Sequence, residues 1–498
     1  MNVNPITRLD YPDPDVIRVE DTYYMVSTTM HFMPGCEILQ SFDLVHWEHA
    51  TYVYETLDHT DAQQLKSGQN IYGQGMWAAS LRYHEGRFYI CFVANDTRKT
   101  YLYTSEKIDG PWKKQLIEGF YHDGSLLFDE DGRNYIVYGN DEIWITELNE
   151  DLTAPKKDGL HRLLVSDHKN PELGYEGSHI QKINGYYYIF LIHSLRDRWM
   201  RTEACFYSDS LEGEFTGGDV LCDDRGYCGQ GVAQGGIVDT PDGKWYAMLF
   251  QDSGAVGRLP ILLPVTWKDH FPVFGQNGHV PEEIEVHSTR PGYIYQPLVG
   301  SDDFCNGLLP RWQFNHDPDP RYYHLDALQG TYTITTREVC TELTQAVNTL
   351  TQRMSYPSCA AEVTVDASAL KDGDVAGLCA FQGCYAAVGI TKHHGKYEVL
   401  MLDKKEDGIL DMTEGTVVES HQMDFRLEAD FYNMKDEARC YYRVNKGDWL
   451  PIGTVHKLYF KLDHFTGCRF GLFCYAAEKT GGSACFRDFK YYDVDEIS

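Results

Sequence analysis

The clearest pattern in the chain is a repeated hairpin. At Asp21, Gly86, Gly132, Gly185 and Gly243 a turn residue is followed three residues later by tyrosine inside an apolar run: DTYYMVS, GRFYICF, GRNYIVY, GYYYIFL and GKWYAML. Apolar residues on both sides of the turn, as in DVIRV before DTYYMV, predict strand, tight turn, strand. The shared tyrosines, Tyr24, Tyr89, Tyr135, Tyr188 and Tyr246, are spaced by 65, 46, 53 and 58 residues. A period near 50 in strand-rich sequence predicts propeller blades of about four strands each. SFDLVHW, SEKIDGPW and SDSLEGEF follow the tyrosines of three repeats by 16 to 20 residues and are expected to be outer-strand material. No long segment keeps a 3.6-residue period. The N-terminal part is therefore expected to be an all-β, five-bladed β-propeller.

The same phase picks out candidate chemistry. Twelve residues before the tyrosine stand Trp77, Asp123, Glu176 and Gln234. In the first repeat the interval is eleven and the residue is Asp13, held between Pro12 and Pro14. In a propeller these positions open the innermost strands and ring the central axis. Three carboxylates from three blades are thus expected in one funnel. Trp77 offers a stacking face for a sugar ring, or else packs between blades. Gly231, Gly235 and Gly236 around Gln234 leave room for close approach, and Arg258 in AVGRLP is a candidate contact.

From Pro291 the blade signature stops. Short alternating strands such as GTYTITT, YEVLMLD and RFGLFCYA then suggest a β-sandwich. The boundary is placed near Val299 to Asp302, dividing the propeller, 1–298, from the sandwich, 299–498.

Composition narrows the partners. The 498 residues exceed one ordinary core. The formal net charge of −30 repels nucleic acid and anionic membranes and suits a neutral ligand. No run reaches the ~18 apolar residues of a membrane span. MNVNPITRLDYPDPD lacks a basic and then apolar leader. The fourteen cysteines show no metal spacing, and Cys91, Cys205, Cys379 and Cys474 sit inside apolar runs. Free thiols in a cytoplasmic protein are the expectation.

Carboxylates gathered in one funnel cannot all ionise freely, so their acidities separate into acid and base roles. Glycoside hydrolysis uses that division: one protonated carboxyl at the leaving oxygen and one carboxylate that attacks or activates water. A Ca²⁺ site is the competing use, although such sites usually draw several ligands from one loop. Simple capping of strand ends is the structural alternative.

Taken together, NPITRLDYPDPDVIRVEDTYYMVST, the MPG of HFMPG, HDGSLLFDEDGR, YEGSHIQKINGYYY, the AVGRLP stretch and DDF…RWQFNHDPD with FRDFKY resemble glycoside hydrolase family 43. The likeness is to its β-xylosidase and α-L-arabinofuranosidase members with a C-terminal β-sandwich, over nearly the full chain. It implies Asp13 as general base, Glu176 as general acid, Asp123 as the acid that orients Glu176 and tunes it, and Arg258 as a contact to sugar hydroxyls. It also implies inversion, with the Asp13 and Glu176 carboxyls about 6.5–9.5 Å apart. Many relatives carry histidine where Gln234 stands, sometimes with a cation, so no axial metal is assigned. No cofactor is required, and a structural Ca²⁺ stays as an alternative. His31 and Phe32, in MHFMPGC, are candidate pocket residues. The expected substrate is a xylo- or arabinoxylo-oligosaccharide, cleaved exo-wise at terminal α-L-arabinofuranosyl or β-D-xylosyl residues. A non-catalytic sugar-binding propeller, a fructosidase and a glycoside phosphorylase are the alternative readings.

Overall fold

A computed structural model describes residues 3–493. It is all-β, with strands joined by turns and four short 3₁₀ segments among the described residues. Five antiparallel sheets form the blades of a propeller. Blade I comprises Asp15–Val19, Thr22–Val26, Gly35–Ser41 and Glu48–Tyr54; blade II comprises Met76–His84, Arg87–Ala94, Lys99–Ser105 and Lys113–Ile117. Blade III runs from Ser125–Phe128 through Asn134–Asn140 and Glu142–Leu148 to His161–Ser166. Blade IV holds Glu176–Ile183, Tyr186–Ser194, Arg201–Ser208 and Thr216–Leu221. Blade V has an inner strand broken into Val232–Ala233 and Ile237–Asp239, followed by Trp245–Asp252, Arg258–Lys268 and Phe271–Phe274.

The five repeated tyrosines all lie on the second strand of their blades, so the period in the sequence is the inner hairpin of each blade. The second echo is different in kind from the expectation. SFDLVHW, SEKIDGPW and SDSLEGEF form mainly the turns between third and fourth strands. Their Asp, Gly and Ser residues suit a turn, while Trp47 is buried and anchors the outer edge of its blade.

The ring closes where the chain begins. Ile6 N–H donates to the Pro260 carbonyl at 3.1 Å and Tyr11 N–H to that of Arg258 at 3.1 Å. The Asn4 amide both donates to and accepts from the Leu262 backbone, at 2.7 and 2.8 Å. The N-terminal segment thereby joins blade V to blade I.

Low on the axis the inner strands are stapled by Arg82. Its guanidinium donates to Asp15 Oδ2 at 2.7 Å, to the carbonyls of Leu81, Leu126 and Ile180, and to Ser125 Oγ. Blades I to IV therefore meet on one side chain. Burial alone would raise the Asp15 carboxyl, but Arg82, with His179 Nδ1 at 3.1 Å, holds it below its ordinary range.

The second unit is a sandwich of a nine-stranded and a seven-stranded sheet. Its core includes Trp312, whose indole N–H donates to Asp302 Oδ2 at 2.8 Å. The chain reaches it through a segment that wraps blade I, where Thr289 N–H donates to the Phe42 carbonyl at 2.8 Å and Gln296 N–H to Glu48 Oε2 at 2.8 Å. The two units share a sheet. Phe32–Met33, from blade I, pairs with Gln313–Asn315 at the edge of the nine-stranded sheet. Arg353 of the sandwich donates to Glu37 Oε2 at 2.8 Å and to the Asp10 carbonyl at 2.9 Å, and lies 4.0 Å over the Tyr11 ring.

This shared edge corrects the reading of His31 and Phe32. Both are fully buried at the junction of the units rather than in the pocket. Phe32 lies under the Arg469 guanidinium at 3.5 Å, and His31 packs against His316 and Tyr72. An apolar strand with free backbone groups needs a partner edge, and the sandwich supplies one.

Candidate active site

The inner strands deviate from regular pairing at the same level in every blade. Asp13 and Asp123 precede their strands in left-handed conformations, with φ of 53° and 48°. Gln234, at φ 60°, breaks the inner strand of blade V. In blades II and IV the register shifts between Met76 and Ala79 and between Glu176 and His179. Left-handed residues and bulges re-aim side chains and concentrate at functional sites. Here they turn five side chains toward the axis.

Asp13, Trp77, Asp123, Glu176, Gln234 and Arg258 line one chamber of about 30 Å³, which is room for a water molecule. It adjoins a larger cavity of about 740 Å³ whose wall also includes Trp77 and Glu176. Phe120, Trp199, Phe460 and Phe465 give that outer cavity an aromatic lining, the surface that packs on sugar C–H faces.

Each acid is held differently. Asp13 Oδ1 accepts from Arg258 Nη1 at 3.0 Å and Oδ2 from Thr28 Oγ1 at 2.6 Å. Arg258 is 2% exposed, and its Nε and Nη2 have no partner among the described residues, so they can donate to a ligand hydroxyl. Asp123 Oδ2 accepts from Gly177 N–H at 3.0 Å. Burial, then the neighbouring charges of Glu176 and Asp13, push its carboxyl up to about 6, against the pull of His122. Glu176 Oε2 accepts from Asn140 Nδ2 at 2.6 Å and lies 3.4 Å from His122 Nε2. Burial opposes a charge on His122, but Asp123 and then the hydrogen bond to Glu176 prevail and raise it to about 9.

Several residues of the site lack the blade phase and were missed. His122 directly precedes Asp123 in HDGS, a basic group beside a marked acid, and that adjacency was the available signal. Arg201 opens the third strand of blade IV and binds Asp252 at 2.5 Å. Glu203, two residues on, is buried beneath Gln234, whose N–H it accepts at 2.7 Å, and burial pushes its carboxyl well up. Phe465 comes from the sandwich. It stacks over Arg258 at 4.2 Å and lies 5.7 Å from Trp77. Asp10 sets this contact: Oδ1 accepts from Arg258 N–H at 2.8 Å and Oδ2 from Gly467 N–H at 2.7 Å.

Among the described residues, His122, Asp123 and Glu176 form a cluster whose donor atoms lie within 4.8 Å of one another. A raised imidazole between two carboxylates already balances charge there, and protein donors occupy oxygens of both acids. That donor set fits proton chemistry better than a hard cation.

A propeller funnel lined by three carboxylates and walled by aromatics is the site of a carbohydrate-cleaving enzyme, a glycoside hydrolase. Residues 3–272 match the glycosyl hydrolases family 43, and residues 301–492 match the beta xylosidase C-terminal concanavalin A-like domain. The chain belongs to glycosyl hydrolase family 43. It is 26% identical to a beta-xylosidase of Formosa agariphila over 99% of this chain and 89% of that one. It is 25% identical to a xylosidase/arabinosidase of Butyrivibrio fibrisolvens over 99% of both. A solved bifunctional GH43-CE protein of Bacteroides eggerthii superposes with a TM-score of 0.92 at 42% identity. That likeness covers 99% of this chain and 64% of the longer one.

Proposed function

We propose that the protein is an inverting exo-glycosidase that releases terminal α-L-arabinofuranosyl or β-D-xylosyl residues from xylan-derived oligosaccharides. Asp13 is the general base, Glu176 the general acid, and Asp123 the acid that positions Glu176 and keeps it protonated. The observation that carries this reading is the convergence of the three carboxylates on one chamber with room for a water. In this mechanism Asp13, paired with Arg258, takes a proton from that water as its oxygen attacks the anomeric carbon. Glu176 gives its proton to the departing glycosidic oxygen, and the configuration inverts in one displacement.

Exo cleavage is supported by the shape of the funnel. The axis is filled below by Arg82 and its partners, while the outer cavity leaves space for the rest of the chain. The pentose assignment is supported by relatives named beta-xylosidase and xylosidase/arabinosidase. The test is hydrolysis of the two nitrophenyl pentosides, with proton NMR of the anomer released first. Inverted product and near-complete loss of turnover in Asp13→Asn and Glu176→Gln are expected. A retained first product, or full activity in either variant, would overturn the assignment.

A further inference from the structure

Among the described residues, Glu176 is gripped on one side only. Asn140, at the end of the second strand of blade III, donates to Oε2 at 2.6 Å. His122, from the turn that opens the same blade, places Nε2 3.4 Å from that oxygen and 3.6 Å from Asp123 Oδ2. Both donors come from blade III, whereas Glu176 opens the inner strand of blade IV. A protonated carboxyl carries its hydrogen on one oxygen and accepts through the other. An oxygen that already receives two N–H groups is the accepting one.

We propose that His122 and Asn140 are positioning residues for the acid: together they confine its proton to Oε1 of Glu176, and the His122 cation makes that proton easier to release. The inference rests on Glu176 being the general acid. His122 faces Asp123, Glu176 and, at longer range, Asp13, with the Trp77 ring 5.8 Å away. Glu176 also feels Arg201, which is held by Asp252. Asp123 and Asp13 thus place negative charge around the acid, and His122 sets a positive charge against its Oε2. When the proton moves to the leaving oxygen, the new carboxylate is met by the imidazolium and the amide already in place. The proton passes from Glu176 Oε1 to the leaving oxygen, while His122 keeps its own.

The experiment separates geometry from charge. His122→Gln keeps an N–H donor and removes the cation, His122→Phe removes both, and Asn140→Asp replaces a donor by a repelling carboxylate. For each variant, kcat and KM would be measured against pH on xylobiose and on nitrophenyl xyloside, with thermal melting to confirm folding. Loss of an opposite charge within about 4–6 Å raises a carboxyl by roughly one unit or more. The basic limb of kcat/KM should therefore rise by about one pH unit in His122→Gln and further in Asn140→Asp. The kcat on xylobiose, which needs full protonation of its leaving group, should fall at least ~10-fold, within the range general acid catalysis supplies. The kcat on the nitrophenyl substrate should fall much less, with KM little changed on either. An unmoved basic limb in both His122→Gln and Asn140→Asp, or equal losses on the two substrates, would overturn the inference. If His122→Phe does not fold, the other two variants decide alone. Failure of the underlying assignment looks different. The native protein would then cleave neither substrate, or Glu176→Gln would stay fully active, and this inference would fall with it.

Discussion

Asp123→Asn should make the protein more stable and almost inactive. Asp123 is 6% exposed, and its carboxyl stands near 6 against an ordinary 3.8. The proton is bound more tightly in the folded than in the unfolded chain, so stability falls as pH rises from about 4 to 6 and then stays flat. A shift of this size corresponds to about 3 kcal/mol at neutral pH. The attraction of His122 is already contained in it, so the figure is the net of burial, repulsion and that attraction. Asparagine keeps the shape and can accept from Gly177 N–H as Asp123 does at 3.0 Å. Unfolding of a chain this long carries an entropy of about 1 kcal/mol per degree. The gain should therefore appear as a rise in Tm of about 3 °C at pH 8, shrinking toward zero near pH 4. Melting curves of the two proteins at both pH values, beside kcat on xylobiose, test it. An equal Tm difference at both pH values, or a variant less stable at pH 8, would show that the ionised carboxyl is not under strain in the fold.

Other perturbations follow from the same contacts. Arg82→Met strands the buried Asp15 charge and should destabilise the protein by about 3–5 kcal/mol in urea unfolding, where a change below ~1 kcal/mol would contradict the staple. Because the Asp15 carboxyl is held low, the stability it contributes is present above its unfolded value of 3.8 and should fade as pH falls below that. Phe465→Ala removes an aromatic face worth about 1 kcal/mol and should lower kcat/KM roughly fivefold to tenfold, and an unchanged value would remove the sandwich from substrate contact. Arg258→Lys loses the planar guanidinium that holds Asp13 through Nη1 and leaves Nε and Nη2 for a ligand, and it should reduce kcat/KM about a hundredfold, where a loss within threefold would argue against that role.

The blade count was legible because turn and tyrosine repeat in phase, and a period survives wherever five copies of one hairpin are needed. The positions facing the axis follow from that phase, since each stands a fixed distance from its tyrosine. What does not repeat is harder to read. Phe465 reaches the chamber only because two units dock, and nothing local in HFTG marks it. MHFMPG reads as an apolar strand whether it meets a ligand or a neighbouring sheet, and only the docked sandwich shows that His31 and Phe32 lie at the junction. Asn140 ends a strand in YGN, and its role depends on the facing blade. His122 was within reach, because an imidazole adjacent to a phased carboxylate is a charge pair in waiting.

Asp10 gives the enzyme a joint. One carboxylate clamps two backbone amides, that of the arginine that grips Asp13 and one just past the loop that presents Phe465. The shared carboxylate ties the backbone that carries the guanidinium to the loop that carries the aromatic wall, so it resists a slip of one half against the other. Cutting the chain after the blades would leave Asp10 with one of its two amide partners and the funnel without Phe465.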